Sequence, residues 1–595
     1  MKTSGDYDAR GVRWDLSDLH AAPDDPAIER LMKDCLRRAR AFEKKYRGAV
    51  ASLSARRFAA MLKTLESITA ATAKTYCYAQ LLHASNTDDP KAGALLQFVR
   101  EKRSGISGHL LFFDVEWVRA PDAAARKLLG SRELAPYRHF LTTKRLYKPH
   151  TLSEKEERVV MDKSVTGASA FKRLFDEILA DMRFDVKTRK STKKLNETAT
   201  LSLLYSPDRD TRKAAARALT RGLEKNSKPL TFIFNTLVAD HWLDDNMRAY
   251  ETPISSRNLS NEIDDSMVEG LLAECEANYG MVSRYYRFKK KLLGLPSFAD
   301  YDRYAPVSAS RKKTSYPDAR RMVLESLGKF SPEMAAVARL FFTNNWIDAE
   351  CRNGKYGGAF SHPVVPSAHP YILMNYQGGP RDVMTLAHEM GHGIHQYLSR
   401  KKGYFLSDAP LTTAETASVF SEMLVFQEMK RRAPKKDRLA LLCGKIEECF
   451  ATVFRQTVMT RFEQSLHESR RSEGELTKER ISELWTAANR AMFGSSVNLT
   501  RDYGLWWIYV PHFIHSPFYC YSYSFGELLA LSLYDEYTRR GGDFVSGYLD
   551  LLSSGGSDSP AALVRKTGVD ITAPGFWAKG FSILGDMVDE AVSLA

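Results

Sequence analysis

Leu386-Ala387-His388-Glu389-Met390-Gly391-His392-Gly393-Ile394-His395 is the stretch on which the reading of this chain turns. It lies within Val383–Leu398, where Val383, Leu386, Ala387, Met390, Ile394, Tyr397 and Leu398 recur with a helical period. A helix advances about 100° per residue, so His388 and His392 fall within roughly 40° of each other on one face. Two imidazoles one turn apart can share a zinc ion, and Glu389 beside them can take a proton from water at that ion. The apolar stripe runs on roughly the opposite side, which predicts histidines facing away from the core on which the helix packs. The plain alternative is a pair of surface or core-edge histidines.

A catalytic zinc needs a third protein ligand and a position left for water. The metzincin arrangement needs Gly and His at fixed later positions; His395 and Leu398 stand there instead and exclude it. A glutamate from a following helix is the other arrangement, and such a helix is predicted. Asp408-Ala409-Pro410 is a start signal, and Thr413 to Leu424 continue without a breaker. Glu415, Ser418 and Glu422 share one face of it, so Glu415 fits as the third ligand. Glu422, two turns on, either accepts a hydrogen bond from a ligand histidine and fixes its tautomer, or is an ordinary solvated glutamate. His395 shares the ligands' face and reads as a supporting or cleft residue, because a fourth protein ligand would close the water position.

The run from Leu386 to His395, followed by Ala414-Glu415-Thr416-Ala417-Ser418, resembles the thimet-type zinc oligopeptidases, and within them the oligoendopeptidase F branch. Trp14-Asp15-Leu16-Ser17-Asp18-Leu19 is similar to that branch's opening, and Tyr371-Ile372-Leu373-Met374-Asn375-Tyr376 to the strand before its zinc helix. Pro511-His512-Phe513, with Pro517-Phe518-Tyr519, Tyr521 and Tyr523, is similar to its substrate-facing segment. The likeness runs from about residue 14 to the C-terminus. It implies a mainly α fold with a small sheet near the zinc helix, enclosing a narrow cleft with the metal at its floor. It also implies one zinc per chain and short peptides as substrates. One histidine, His512, and one or two tyrosines would reach the substrate, with Tyr521 and Tyr523 preferred over Tyr519. A phenol suits that task, because a pKa near 10 keeps a neutral donor beside the oxygen on which charge develops. Each tyrosine could equally be an amphipathic wall residue. The Tyr371–Tyr376 strand, through Tyr371, Leu373 and Asn375, is expected to offer an edge to the substrate backbone. The glycine-dense Asn353–Phe360 stretch reads as a flexible loop beside it.

Bulk properties fit a large folded enzyme. The chain has 595 residues, of which 44% are hydrophobic and 11% aromatic, enough for two or three packed subdomains. Seven cysteines without a CxxC pattern argue against a disulfide scaffold or a cysteine metal site. The polar opening from Lys2 to Arg13 carries no signal segment, and no long apolar run follows, so a cytoplasmic protein without membrane contact is expected. The net charge of +14 is spread along the chain, with local runs at Lys187–Lys194, Arg311–Lys313 and Lys430–Arg438. No basic-aromatic module accompanies these runs, which excludes nucleic-acid binding as the main function. Monomer and homo-oligomer are equally compatible with this pattern.

Helical periodicity dominates elsewhere: residues 26–48, Phe58 to Leu82 and Asp89 to Phe113 are predicted helices. Ser153 and Glu156 form a capping box, Thr166-Gly167 breaks the helix that follows, and Ser206-Pro207-Asp208 starts another over Arg209–Lys225. Strand signals are confined to Leu179–Val186 and the Met374 region. The linear division is a helical region to 114, a helical domain from 115 to 198 and a zinc-bearing domain from 199 to 595. The chemistry expected is cleavage of internal bonds in short unfolded peptides, with Glu389 as general base. An exopeptidase with the same site is the nearest alternative; groups placed to grip a free peptide terminus would favour it, and the sequence does not show where they lie. A silent peptide-binding scaffold fits less well, because a structural metal site has no use for Glu389.

Overall fold

The structure, a computed structural model, describes residues 9–188, 191–307 and 313–595. The first eight residues and parts of the Lys187–Lys194 and Arg311–Lys313 runs lie outside the described residues. Helices dominate, as the periodicity predicts. The chain forms two compact units, each discontinuous in sequence. The first comprises Met1–Lys148, Arg311–Arg432 and Ala530–Ala573; the second comprises Pro149–Ser310, Ala433–Leu529 and Pro574–Ala595. These units cut the chain at other places than the linear division at 114 and 198. No described helix is long and apolar enough to cross a membrane.

In the first unit, helices Pro26–Tyr46, Ala55–Ser85 and Pro90–Leu110 pack on one another. The first and third start alike, with Asp25 and Asp89 accepting from backbone N–H groups and a proline at the first helical position. Strands β3 (Ile347–Asp348), β4 (Phe360–His362) and β5 (Tyr371–Leu373) form a sheet of order β3-β5-β4, with β5 parallel to β3 and antiparallel to β4. A short turn after β5 leads to the motif helix, Pro380–Ser399. Pro380 occupies its first turn, and Asp382 Oδ2 accepts from the N–H groups of Gln377 and Gly379, both at 2.9 Å. A negative group there also suits the positive end of the helix dipole.

The motif helix is buried on nearly every side, not on one stripe alone. Its closest neighbour is the carboxylate helix, Leu411–Arg432, in the most extensive helix–helix contact among the described residues. Gly391 makes this contact possible: a Cβ there would lie 2.3 Å from the Ala417 carbonyl oxygen and 2.6 Å from Ser418 Cα. On the opposite side, a Cβ at Gly393 would meet the Phe341 ring at 2.7 Å and Ile372 Cδ1 of β5 at 3.4 Å. Two glycines, about 200° apart around the helix, therefore let backbone approach on one side and the Phe341 and Ile372 side chains on the other. The carboxylate helix is held from behind by Phe420, stacked on Tyr548 with centroids 4.4 Å apart, while the Tyr548 hydroxyl donates to Thr416 O at 3.3 Å.

The second unit is built around a core that includes Phe175, Phe184, Leu219, Phe234, Phe462, Trp485, Trp506, Trp507 and Phe513. The Ser153–Glu156 capping box forms as expected. The Leu179–Val186 strand signal is corrected: residues to Asp181 are helical, because Phe175, Ile178 and Leu179 lie on the buried side of one helix. Only Phe184–Lys187 (β1) is extended, in a hairpin with Thr192–Leu195 (β2).

Substituting Gly391→Ala is expected to destabilise the chain by about 2 kcal/mol or more, since the clash is with rigid backbone. Gly105→Ala, in an exposed helix interior with nothing within 4 Å of the new Cβ, should be neutral or stabilising by about 0.5–1 kcal/mol. Urea unfolding of the two variants checks both outcomes.

Candidate functional site

The motif helix presents His388 and His392 on one face, and the carboxylate helix brings Glu415 to them. The three facing atoms form a triangle. His388 Nε2 and His392 Nε2 are 3.2 Å apart, and Glu415 Oε2 lies 3.4 Å from the first and 3.5 Å from the second. Among the described residues this is the one group of three such side chains whose ligand atoms converge. A tetrahedral ion with bonds of about 2.0–2.1 Å requires ligand–ligand edges of about 3.3–3.4 Å. The triangle matches that requirement, and two imidazoles with a carboxylate are a donor set that suits zinc.

The neighbours orient these donors. Glu422 Oε1 lies 2.5 Å from His388 Nδ1, leaving Nε2 as the nitrogen in the triangle. Ser418 Oγ donates to Glu415 Oε2 at 2.9 Å and fixes that carboxylate. Glu422 is buried, so its reading as an ordinary solvated glutamate is set aside.

Charge tells the same story. Three carboxylates, Glu389, Glu415 and Glu422, surround two imidazoles, a field that favours a cation. Burial disfavours a charged His388, but the Glu422 hydrogen bond and the charges of Glu422, Glu415 and Glu389 outweigh it, pushing the imidazole up to about 10. Burial acts to raise Glu415, yet the histidines and Ser418 hold its carboxyl down to about 2. Glu389 is 6% exposed, and its Oε2 has no hydrogen-bond partner among the described residues. Burial raises its pKa, against the pull of His388 and His392. An unpartnered carboxylate oxygen with raised affinity for a proton is what a general base requires.

Other predicted residues are placed differently. The His395 side chain is buried, and burial, with a smaller push from His392, takes its pKa down to about 4. It is a neutral core imidazole, not a cleft residue. Tyr371 and Leu373 are fully buried, and β5 is the middle strand, so the expected edge is not there. Bonding to the β3 side continues beyond β5, with Met374 N donating to Asp348 O at 2.9 Å and Tyr376 N to Ala349 O at 3.0 Å. The edges of this sheet are β3 and β4. Asn375 uses its amide N–H groups on Tyr356 O and Gly358 O, at 2.9 and 3.2 Å. It ties down the glycine-dense stretch, which is therefore pinned. Lys355, fully buried at its ammonium, grips that stretch further by donating to Asp348 Oδ1, Glu350 O and Met374 O at 2.7, 2.9 and 2.6 Å.

In the second unit His512, Tyr519 and Tyr523 come together. His512 Nε2 is 3.4 Å from the Tyr523 hydroxyl, and ring centroids are 6.1 Å apart for His512–Tyr519 and 5.0 Å for Tyr519–Tyr523. Tyr521 does not join them. The segment is helical from Tyr521 onward, so Tyr521 and Tyr523 point about 200° apart, whereas Tyr519 and Tyr523 are four residues apart. Tyr521 is fully buried, and its hydroxyl accepts from Asn261 Nδ2 at 2.7 Å.

Sequence reasoning missed two contributors: Ser418 as the group holding Glu415, and Lys355 as the loop's anchor. Ser418 was visible on the Glu415 face, one turn on, where a hydroxyl reaches a carboxylate. A lysine among glycines gave no sign of burial.

The sequence model described as "Peptidase family M3" matches residues 202–583, and that described as "Oligopeptidase F" matches residues 116–184. Oligopeptidase PepF of Bacillus subtilis is 30% identical over 461 residues, spanning 76% of this chain and 68% of its own length. An oligoendopeptidase F homolog of Lactococcus lactis is 26% identical over 535 residues, spanning 89% of this chain and 88% of its own. A solved structure from Chlamydophila abortus superposes with a TM-score of 0.87 at 24% identity, covering 98% of each chain, a likeness of fold.

Proposed function

Because the chain belongs to peptidase family M3, we propose that it is a zinc-dependent oligoendopeptidase that cleaves internal bonds of short, unfolded peptides. The observation that carries this reading is the triangle of His388 Nε2, His392 Nε2 and Glu415 Oε2, whose edges suit a tetrahedral ion, with Glu389 beside it. A zinc ion held by those three residues supplies Lewis acidity toward water and toward a carbonyl oxygen.

The chain's own residues do the rest. Glu422 keeps a proton on His388 Nδ1, so that the Nε2 lone pair faces the metal position. Glu415 stays ionised through its histidine partners and Ser418. Glu389 Oε2, buried and unpartnered, accepts a proton from the attacking water and hands it to the leaving amine nitrogen. The family likeness gives His512 and one or two tyrosines of its segment a substrate-facing role, and because Tyr521 is buried on Asn261 we give that role to Tyr523, with Tyr519 packing beside it. Strand addition, if the substrate uses it, falls to the edge of β4 at Phe360–His362 and not to β5. A folded protein is excluded on energetic grounds, because presenting an extended segment from a core element costs several kcal/mol of local unfolding.

The protein should bind about one zinc per chain, with chelation abolishing cleavage and leaving most helical signal. Glu389→Gln should keep the metal and lose about 10²-fold or more in turnover, while Glu415→Ala should lose the metal itself. Metal analysis of both variants checks this, and equal zinc loss in the two would overturn the assignment.

The two tyrosines separate in a second pair of variants. Tyr523→Phe should cut turnover by about 10²-fold with little change in melting temperature. Tyr521→Phe should lower stability by about 1 kcal/mol, through the lost Asn261 bond, and leave turnover within a few-fold. The reverse pattern would exchange their roles.

A further inference from the structure

The helical run that carries Arg455 contains a π-helical turn, Ala451–Arg455, between the helices Lys435–Phe450 and Gln456–Glu473. Such a turn re-aims side chains, is uncommon, and recurs at functional sites. Here it is fastened to the helix of Tyr523: the adjacent Ser524 donates through Oγ to Val453 O at 2.8 Å. Arg455 thus stands at a fixed position near the His512 cluster, and its positive charge adds to burial in holding the His512 pKa down.

Arg455 is also near a second guanidinium, Arg303, and the rings of Tyr304, Tyr503 and Tyr509. Arg303 is 5% exposed and packs against the Tyr304, Phe493 and Tyr503 rings at 5.1, 5.0 and 4.9 Å from their centroids. Its Nε donates to Asp300 O at 3.0 Å, but Nη2 has no acceptor among the described residues, and neither does Nε of Arg455. Asp300 is the carboxylate near Arg303: its Oδ2 accepts from the N–H and hydroxyl of Thr500, both at 2.6 Å, its Oδ1 has no partner among the described residues, and burial raises its pKa against the pull of Arg303.

Three other guanidiniums of this unit are matched by carboxylates. Arg212 pairs with Asp302 at 2.9 Å, Arg461 with Glu269 and Glu276 at 2.7 and 2.9 Å, and Arg471 with Asp245. Arg303 and Arg455 have no ion pair among the described residues. Two guanidiniums facing tyrosines, with donors unspent, form a cluster short of negative charge. Arg455, Tyr304, Tyr509 and His512 are half-buried, so each keeps part of its surface in solvent.

We propose that Arg455, backed by Arg303 and flanked by Tyr304 and Tyr509, binds a carboxylate of the substrate peptide; this rests on the peptidase reading above. The planar guanidinium fork suits a carboxylate, and phenol hydroxyls can add donors. The carboxylate is either the peptide's C-terminus or an Asp or Glu side chain. It supplies the charge that the cluster lacks. Its place beside His512 makes it a determinant of which peptides bind and in what register.

The test uses one short unstructured peptide in four forms: C-terminal acid or amide, each with an internal Glu or with Gln in its place. Binding to the full-length Glu389→Gln chain is read by fluorescence anisotropy, and cleavage by the unsubstituted chain is followed in parallel. At least one carboxylate-bearing form should bind about tenfold tighter than its neutral counterpart. Dependence on the C-terminal group assigns the terminus, and dependence on Glu assigns the side chain. Adding Arg455→Lys, which keeps the charge but not the fork, should shrink that ratio to about twofold and leave affinity for the wholly neutral peptide unchanged. Should that variant not fold, Tyr509→Phe, which removes only a hydroxyl, should lower the ratio instead. Equal binding of all four forms overturns the proposal, as does an unchanged ratio in a folded Arg455→Lys variant. Cleavage without carboxylate discrimination sinks this site alone, while Arg455-dependent binding without cleavage sinks only the peptidase reading.

Discussion

The close approach of two helix backbones at Gly391 is the constraint on which the metal site depends. His388 and His392 are set by one helix, but Glu415 belongs to another, and a carboxylate side chain is short. For Glu415 Oε2 to reach both ring nitrogens within 3.5 Å, the two backbones must nearly touch. Only a residue without a Cβ allows the Ala417 carbonyl to lie where it does. Gly393 on the opposite side makes room for the side chains of Phe341 and Ile372. The motif's glycines are thus as much part of the site as its ligands, although they touch no metal.

That geometry creates an electrostatic problem that the site then exploits. Three carboxylates and two imidazoles in a half-buried position repel or protonate unless a cation lies among them. Without one, a proton on His388 takes that role, held by Glu422. A divalent ion would replace it, releasing Nε2 as a ligand while Nδ1 keeps its partner. Glu389 differs from Glu415 and Glu422 in one respect: its free oxygen has no donor beside it, so its basicity is not spent.

Much of this was legible in the sequence because it depends on helical period. The spacing of His388 and His392, and of Glu415, Ser418 and Glu422, fixes their faces whatever surrounds them. Features that depend on tertiary context were not legible. Tyr371 and Leu373 alternate as any strand does, and only the pairing with β3 and β4 shows that they lie in the sheet's interior. Nothing local separates Tyr521 from Tyr523; a helix beginning at Tyr521 turns the former into the core, onto Asn261. The glycine-dense stretch read as flexible from composition, but Lys355 and Asn375 supply the enthalpic ties that composition does not reveal.

The same lesson extends to Arg455. In sequence it is one arginine among many in a basic chain, and average charge says nothing about it. What marks it is an Nε without an acceptor on a π-helical turn fastened beside Tyr523. A surface arginine meets its hydrogen bonds with water, and a buried one ordinarily finds a carboxylate, as Arg212 does in Asp302. Arg455 is half-buried with its Nε shielded and unpartnered, and a shielded donor left without an acceptor costs about 1–3 kcal/mol. A π-turn that displaces the residue from ordinary helical register adds to that cost. Two departures from low energy at one residue, beside an imidazole assigned to substrate, locate recognition by the same reasoning that located the base at Glu389: a polar atom left unspent where spending it would have been easy.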